Sequence, residues 1–291
     1  MPFPTPSIPA LRAVRLGPID ELIELFRYVS TVERQNAPRT VKEEEQALRK
    51  LLGALGVPRV VTRADLLKAL STLKGSTRDR ALWALRKVLR ILGAEWLAEG
   101  IRSRRYAPRR WRVPSDEELK RFYEALDRED VKLAFRLLAE TGLRKSEVLK
   151  ARIGDIDWEH MALIPGRWTT TKRSGIGFFS AETAQMLKEH IAKLPDQGPE
   201  TPIFPYKSDI WLKKAFKRAE ARTGVHVTPQ VLRVRFSDIM GYHEIPDRYV
   251  DIMQGRAPRS VLARHYTPLS IAKLRQMWKR AANLLSRPCQ E

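Results

Sequence analysis

Apolar side chains fall three and four residues apart along most of this chain, the spacing of amphipathic helices. From Gly17 to about Ile101 the pattern is helical throughout. Ile19, Leu22, Ile23 and Phe26 make one apolar face, and Val41, Ala47, Leu48, Leu51 and Leu52 a second. Thr62 is placed to cap a third helix with Leu66, Leu67 and Leu70 inward. Ser76-Thr77 opens a fourth, carrying Leu82, Leu85, Val88, Leu89 and Leu92. Residues 17–101 therefore read as a compact helical domain with Arg and Lys on its outer faces, behind a Pro-rich, mobile arm over residues 1–16.

Periodicity stops at Arg102-Ser-Arg-Arg-Tyr-Ala-Pro-Arg-Arg-Trp-Arg-Val-Pro114. Proline interrupts this stretch, and it reads as an extended linker over 102–114. Arg102, Arg104, Arg105, Arg109, Arg110 and Arg112 stand in it without an acid between them. A spacer does not need six arginines, whereas a strap along a polyphosphate backbone does.

Ser115-Asp-Glu-Glu118 is a capping box, and it opens a second domain over 115–291. Leu119, Phe122 and Leu126 continue its first helix; Val131, Ala134, Leu137 and Leu138 mark the next, with Gly142 as its cap. A short helix runs from Lys145 to Ala151. Between residues 153 and 180 the pattern turns to strands. Ile156–Trp158, Ala162–Ile164 with Arg167–Thr170, and Ile176–Phe179 predict a small three-stranded antiparallel sheet with a turn at Lys172-Arg-Ser-Gly175. Helices resume at Ala181, at a start capped by Ser208, and at Thr228-Pro229, where threonine is the N-cap and proline the first helical residue. In that last helix Leu232, Phe236 and Ile239 face inward, leaving Gln230 and Arg233 together on another face. A helix over about 247–254 ends at Gly255 and delivers Arg256 into a loop; a terminal amphipathic helix follows Leu269. The fold class is mainly α, a helical domain joined to a mixed α/β domain.

Charge then narrows the function. With 54 Lys+Arg against 34 Asp+Glu the net charge is +20, which predicts a polyanionic partner, nucleic acid first and an anionic membrane surface second. No apolar run is long enough to span a membrane, and Met1-Pro-Phe-Pro-Thr-Pro lacks the apolar core of a signal peptide. The single cysteine, Cys289, lies in what reads as a frayed tail, and the five histidines show no metal-ligand spacing. The expectation is an intracellular, reduced, metal-free and cofactor-free protein. One aromatic stands out among cations: Tyr266, beside Arg264 and His265 and a short loop after Arg256. A phenol of pKa about 10 is a poor nucleophile at neutral pH unless cations draw charge onto its target. The same tyrosine also fits an ordinary apolar face with Val261 and Leu262.

Thr141-Gly-Leu-Arg-Lys-Ser-Glu147 resembles the first arginine box of the tyrosine recombinases, the family of phage integrases and chromosome-dimer resolvases. The family's other boxes follow in order: Lys172 between the second and third strands, Gln230-Val-Leu-Arg233 at the second box, Gly255-Arg256 at the Gly-His step, and Tyr266 at the nucleophile. The resemblance covers about 115–280 and, more weakly, extends to the family's core-binding domain over 17–101. Gln230 stands where the family usually has histidine, and Arg256 where it has histidine or tryptophan. Loss of both histidines resembles integrases of archaeal viruses and plasmids, and it leaves open which group takes the proton from Tyr266.

The resemblance implies a site-specific recombinase that clamps double-stranded DNA between two domains. Tyr266 would form a 3′-phosphotyrosyl bond, Arg144 and Arg233 hold the non-bridging oxygens, and Lys172 protonate the 5′ leaving oxygen. Arg256 and Gln230 would complete the donor ring, with Glu147 orienting Arg144 and Arg173 adding a DNA contact beside Lys172. Recombination joins two sites, so four protomers are expected to assemble on DNA, the tail helix packing on a neighbour or in cis. The target site, the direction of reaction, cis or trans cleavage and the use of an accessory DNA-bending protein are not encoded in any legible motif. Two other readings use the same features: a type IB topoisomerase-like swivelase, and a non-catalytic DNA-binding protein with a decayed site.

Overall fold

In the computed structural model, which describes residues 12–103, 111–166, 174–256 and 270–290, the chain divides into two compact units, Met1–Pro108 and Arg109–Glu291. The first unit differs from the all-helical expectation at its edge. Ala13–Leu16 (β1) pairs antiparallel with Arg59–Thr62 (β2), Leu16 opposite Arg59 and Val14 opposite Val61. The expected arm of residues 1–16 therefore does not extend through 13–16. Leu16 and Val61 are both fully buried, and that shared apolar face holds the ribbon against the helices.

Among the described residues the unit also has four α-helices, α1 (Ile19–Tyr28), α2 (Pro38–Leu55), α3 (Arg63–Thr72) and α4 (Ser76–Ile91). Their ends follow local chemistry. Proline opens α2, and at the start of α3 Thr62 and Asp65 cap each other reciprocally, the Asp65 amide donating to the Thr62 hydroxyl at 3.2 Å and the Thr62 amide to the Asp65 carboxylate at 2.9 Å. Leu22, Ile23, Phe26, Leu48, Leu51, Leu66, Leu82, Leu85 and Leu89 form one core. Two cations of this unit, Arg78 and Lys87, are buried. Arg78 lies beside Asp79, and Lys87 bonds Glu44 and Ser30, because a buried charge persists only when it is paired.

The second unit is built around α6. Ser115 caps α5 (Asp116–Glu124) through the expected box with Glu118. The next helix, α6 (Glu129–Thr141), has every residue from Leu133 to Thr141 buried. Around it lie α7 (Lys145–Leu149), α8 (Ala181–Ala192), α9 (Ile210–Thr223), α10 (Pro229–Tyr242), α11 (Asp247–Met253) and a tail helix, α12 (Ile271–Ser286). Ser208 is not the cap of α9. Asp209 holds that position, and its carboxylate is taken by Lys145 and Lys213 rather than by the helix.

The sheet is present in the order β3 (Ile156–Asp157), β4 (Ala162–Leu163), β5 (Gly177–Phe178), all antiparallel. Each strand is two residues long, shorter than the alternation predicts; 167–170 lies outside the described residues. The tail helix packs in cis: Leu274, Trp278, Ala281 and Leu285 join Phe178, Phe236 and Met240 in a continuous apolar cluster. Cys289 is not frayed. It is 5% exposed in a turn beyond α12, its carbonyl accepts from Arg136 at 2.9 Å, and burial pushes its thiol pKa up. Among the described residues no helix is long and apolar enough to cross a membrane.

Gly142 sets how closely α6 approaches α10. Its φ is +62°, and a Cβ there would stand 2.4 Å from the Phe236 ring. Gly142→Ala combines left-handed strain with a clash in a filled core. We expect it to lower unfolding stability by about 2–4 kcal/mol in urea denaturation followed by tryptophan fluorescence.

Candidate active site: an arginine cluster on helix ends

Gly142 also ends α6 two residues before Arg144, and the same backbone turn feeds the site. Arg144 is the N-cap of α7. Its amide donates to one Glu147 oxygen at 2.7 Å and its guanidinium to the other at 2.7 Å. Glu147 therefore fixes Arg144 from both ends, rather than pairing with Lys145 or Lys150. The other arm of the fork donates to the Gly255 carbonyl at 2.8 Å, leaving the side chain 44% exposed.

Arg233 is nearly buried, at 5% exposure. The Thr228-Pro229 start of α10 puts it on the inner side of the second turn. Its guanidinium donates to the Gly142 carbonyl at 2.7 Å and to the Gln254 carbonyl at 2.8 Å. These carbonyls end α6 and follow α11, where unsatisfied acceptors give a helix its negative pole. Among the described residues Arg233 has no carboxylate within ion-pair distance. Burial, then repulsion from Arg144 and Arg256, lowers its pKa to about 10. It stays charged at neutral pH, as a cation whose positive field is only partly offset.

Arg256 completes the group. Its amide donates to the Asp251 carbonyl at 2.8 Å, and its guanidinium reaches the Ser237 hydroxyl at 3.5 Å and lies 4.0 Å from the Asp251 carboxylate. Gln230 is exposed on the first turn of α10, ahead of Arg233. Arg144, Arg233 and Arg256 thus converge from three elements far apart in sequence.

The sequence did not single out Gln254 or Ser237. The Gln254 side chain is fully buried; its amide donates to the Arg233 carbonyl at 3.0 Å and its oxygen accepts from Ser237 at 3.1 Å. This ties the end of α11 to α10 and fixes the carbonyl that Arg233 uses. The sequence signal was its position directly before Gly255-Arg256. Gly175 is a second such residue: a Cβ there would meet the Met253 carbonyl at 2.1 Å and Leu143 at 2.6 Å. The chain entering β5 therefore runs against the two segments that carry Arg144 and Arg256.

Lys172, Arg173 and Tyr266 lie outside the described residues, as do Arg104, Arg105, Arg109 and Arg110. Of the six linker arginines, Arg102 is exposed, and Arg112 is exposed but pairs at 2.6 Å with Glu118, an acid supplied by the helix that follows. His226 bonds Glu220 at 2.8 Å. Among the described residues no group of three or more His, Cys, Asp or Glu is arranged to hold a metal ion.

This geometry can be set beside known proteins. The phage integrase family model matches residues 113–272, more than half the chain. The tyrosine recombinase XerA of Saccharolobus solfataricus is 29% identical over 220 residues, 69% of this chain and 72% of that protein. The tyrosine recombinase XerA of Pyrococcus furiosus is 24% identical over 247 residues, 77% of this chain and 82% of that protein. Among solved structures, a lambda integrase(75-356) dimer bound to a COC' core site has a TM-score of 0.65 at 15% identity, covering 88% of this chain and 98% of that one. The XerH recombinase in a pre-cleavage complex with difH has a TM-score of 0.59 at 18% identity, covering 89% and 83%. At these identities the structural likeness is one of fold. The family match extends over both arginine boxes and Tyr266, and the chain belongs to the phage integrase family, as a site-specific DNA recombinase of the tyrosine class.

Proposed function

We propose that this recombinase breaks and rejoins double-stranded DNA through Tyr266, with the scissile phosphate seated on Arg144, Arg233 and Arg256. The observation that carries the reading is Arg233: a buried guanidinium held by two helix-end carbonyls, with repulsion from Arg144 and Arg256 only partly offset by Glu147 and Asp251. Such a site costs free energy when empty and recovers it when a phosphate arrives. Planar guanidinium forks suit the non-bridging oxygens.

In this reading the Tyr266 oxygen forms a bond to phosphorus as the bond from phosphorus to the 5′ oxygen breaks. The phenol's proton passes to solvent, its loss eased by the surrounding cations, and Lys172 gives a proton to the leaving 5′ oxygen. Rejoining runs the same steps backward, the phosphotyrosyl ester conserving the energy of the broken bond. Gly175, three residues after Lys172 in sequence, lies against Leu143 and Met253, which supports a role for this part of the chain at the site. Gln230 would add a neutral donor from the first turn of α10.

The helical unit and the 102–114 stretch would add DNA contacts to those of the catalytic unit. Recombination between two sites calls for four protomers on DNA; the lambda integrase tetramer bound to a Holliday junction has this fold. A DNA substrate of this kind supports an intracellular location. The archaeal sources of the two XerA relatives support an archaeal origin.

Incubation with supercoiled plasmid carrying candidate sites, followed by denaturing electrophoresis, tests the reading. Wild type is expected to leave a covalent protein–DNA adduct that Tyr266→Phe does not form while still binding DNA. Retention of the adduct in that variant would sink the assignment, and relaxation without strand exchange would point to a swivelase. Arg233→Ala should slow cleavage by about 100- to 1,000-fold with DNA binding little changed, read by single-turnover kinetics. Arg102→Ala should weaken binding across all sequences and lower the slope of log Kd against log salt by about 1, with the whole six-arginine strap accounting for about 5.

A further inference from the structure

The turn that follows α11 meets all three site arginines. The Gln254 carbonyl accepts from the Arg233 guanidinium at 2.8 Å, and the next carbonyl, that of Gly255, accepts from Arg144 at 2.8 Å. Arg256 is the residue after these two. One short stretch of backbone therefore directs the forks of Arg144 and Arg233, and a shift of that stretch moves both.

Hydrogen bonds within the turn fix it only relative to α11. The amides of Gln254, Gly255 and Arg256 donate back to the Val250, Ile252 and Asp251 carbonyls at 2.9, 3.1 and 2.8 Å, as at an ordinary helix end. Its place against α10, the helix that carries Arg233, depends on the Gln254 side chain, which is fully buried. The amide nitrogen donates to the Arg233 carbonyl at 3.0 Å, and the amide oxygen accepts from the Ser237 hydroxyl at 3.1 Å. Arg233 and Gln254 thus hold each other twice, side chain to backbone in both directions. The Ser237 hydroxyl also lies 3.5 Å from the Arg256 guanidinium, which extends the chain of contacts to the third arginine.

The chemistry of this position calls for an amide. Methionine or leucine would fill a similar volume without burying a polar group, and would leave the turn untied from α10. Glutamate, ionised, would offer the Arg233 carbonyl no donor and would set a negative charge against the site. Glutamine supplies a donor and an acceptor together and stays neutral beside three cations. The chain entering β5 crowds the same turn. A Cβ at Gly175 would stand 2.1 Å from the Met253 carbonyl oxygen and 2.9 Å from the Gln254 carbonyl carbon.

We propose that Gln254 is a positioning residue for the phosphate site, its side chain holding the turn so that Arg233 and Arg144 meet the scissile phosphate together. The inference rests on the reading that these arginines neutralise the non-bridging oxygens, and the test separates the two. Full-length protein is given duplexes bearing the site at which the wild-type adduct forms, with either the natural phosphate or a methylphosphonate at the scissile position. The methyl group replaces one charged non-bridging oxygen, so the ester is neutral and has less need of cations. Each variant is compared with wild type on the same ester by single-turnover cleavage. Arg233→Ala is the benchmark, expected to lose about 100-fold or more on the phosphate and about tenfold or less on the methylphosphonate.

Gln254→Met keeps the volume and removes both side-chain hydrogen bonds. It should slow cleavage of the phosphate about tenfold or more and cleave the methylphosphonate within about twofold of wild type. Ser237→Ala, which removes the hydroxyl between Gln254 and Arg256, should show the same split at smaller size and serves if the methionine variant does not fold. Equal slowing on both esters by the folded variants, or no slowing on either, would overturn the proposal. Arg233→Ala slowed equally on both esters would remove the charge-neutralising reading itself, and the inference with it.

Discussion

The buried charge of Arg233 is the constraint around which the catalytic unit is arranged. A guanidinium at 5% exposure must find acceptors for its donors or lose its charge. Here the acceptors are backbone carbonyls, one at the end of α6 and one just past α11. That choice matters chemically. A carboxylate in the same place would satisfy the arginine and cancel its field; helix-end carbonyls satisfy its geometry and leave most of its charge directed at whatever anion arrives. Arg144 and Arg256 then add like charge, a clustering that is unfavourable without a polyanion and favourable with one.

Holding those carbonyls still is the work of the surrounding packing. Gly142 lets α6 lie against the Phe236 ring, and Gln254 locks the end of α11 to the backbone of α10. Gly175 brings the entry to β5 against the same segments. The tail helix closes the unit from outside, with Trp278 bonded to Glu140 and Arg275 to Phe179. Arg233 is thus positioned by contacts between elements, while Arg144 and Arg256 combine a contact within or at the end of their own helix with one to another element. Small displacements of the tail helix would be felt at the sheet, since Arg275 and Trp278 both act on the end of β5.

Much of this organisation was legible in sequence. Periodic apolar residues located the helices of both units, and the capping residues Thr62, Ser115 and Thr228 marked starts where side-chain oxygens do accept from the backbone. The boxes at Arg144, Arg233 and Arg256 were visible as a family pattern in order, and the pairing of Glu147 with Arg144 followed from their separation of three residues on one turn. Other features were hidden because local pattern carries no information about partners. β1 and β2 are four residues each and acquire strand character only by pairing across more than forty residues of chain. Lys87 and Arg78 look like surface cations until Glu44 and Asp79 are seen beside them. Cys289 looks like a loose end until α12 folds back and buries it.

The sequence by itself determined which residue types were available and in what order: a +20 chain, a helical domain, a basic stretch, a domain with a small sheet, and the arginines and tyrosine of a phosphoryl-transfer family. These are properties of composition and short-range spacing, set by helix and strand periods. Tertiary structure alone decided that Arg144, Arg233 and Arg256 meet, that backbone carbonyls rather than carboxylates hold Arg233, and that the tail helix lies in cis against the sheet. Those are decisions about burial and long-range approach. They depend on which groups lose contact with water together, and no local pattern along the chain specifies that.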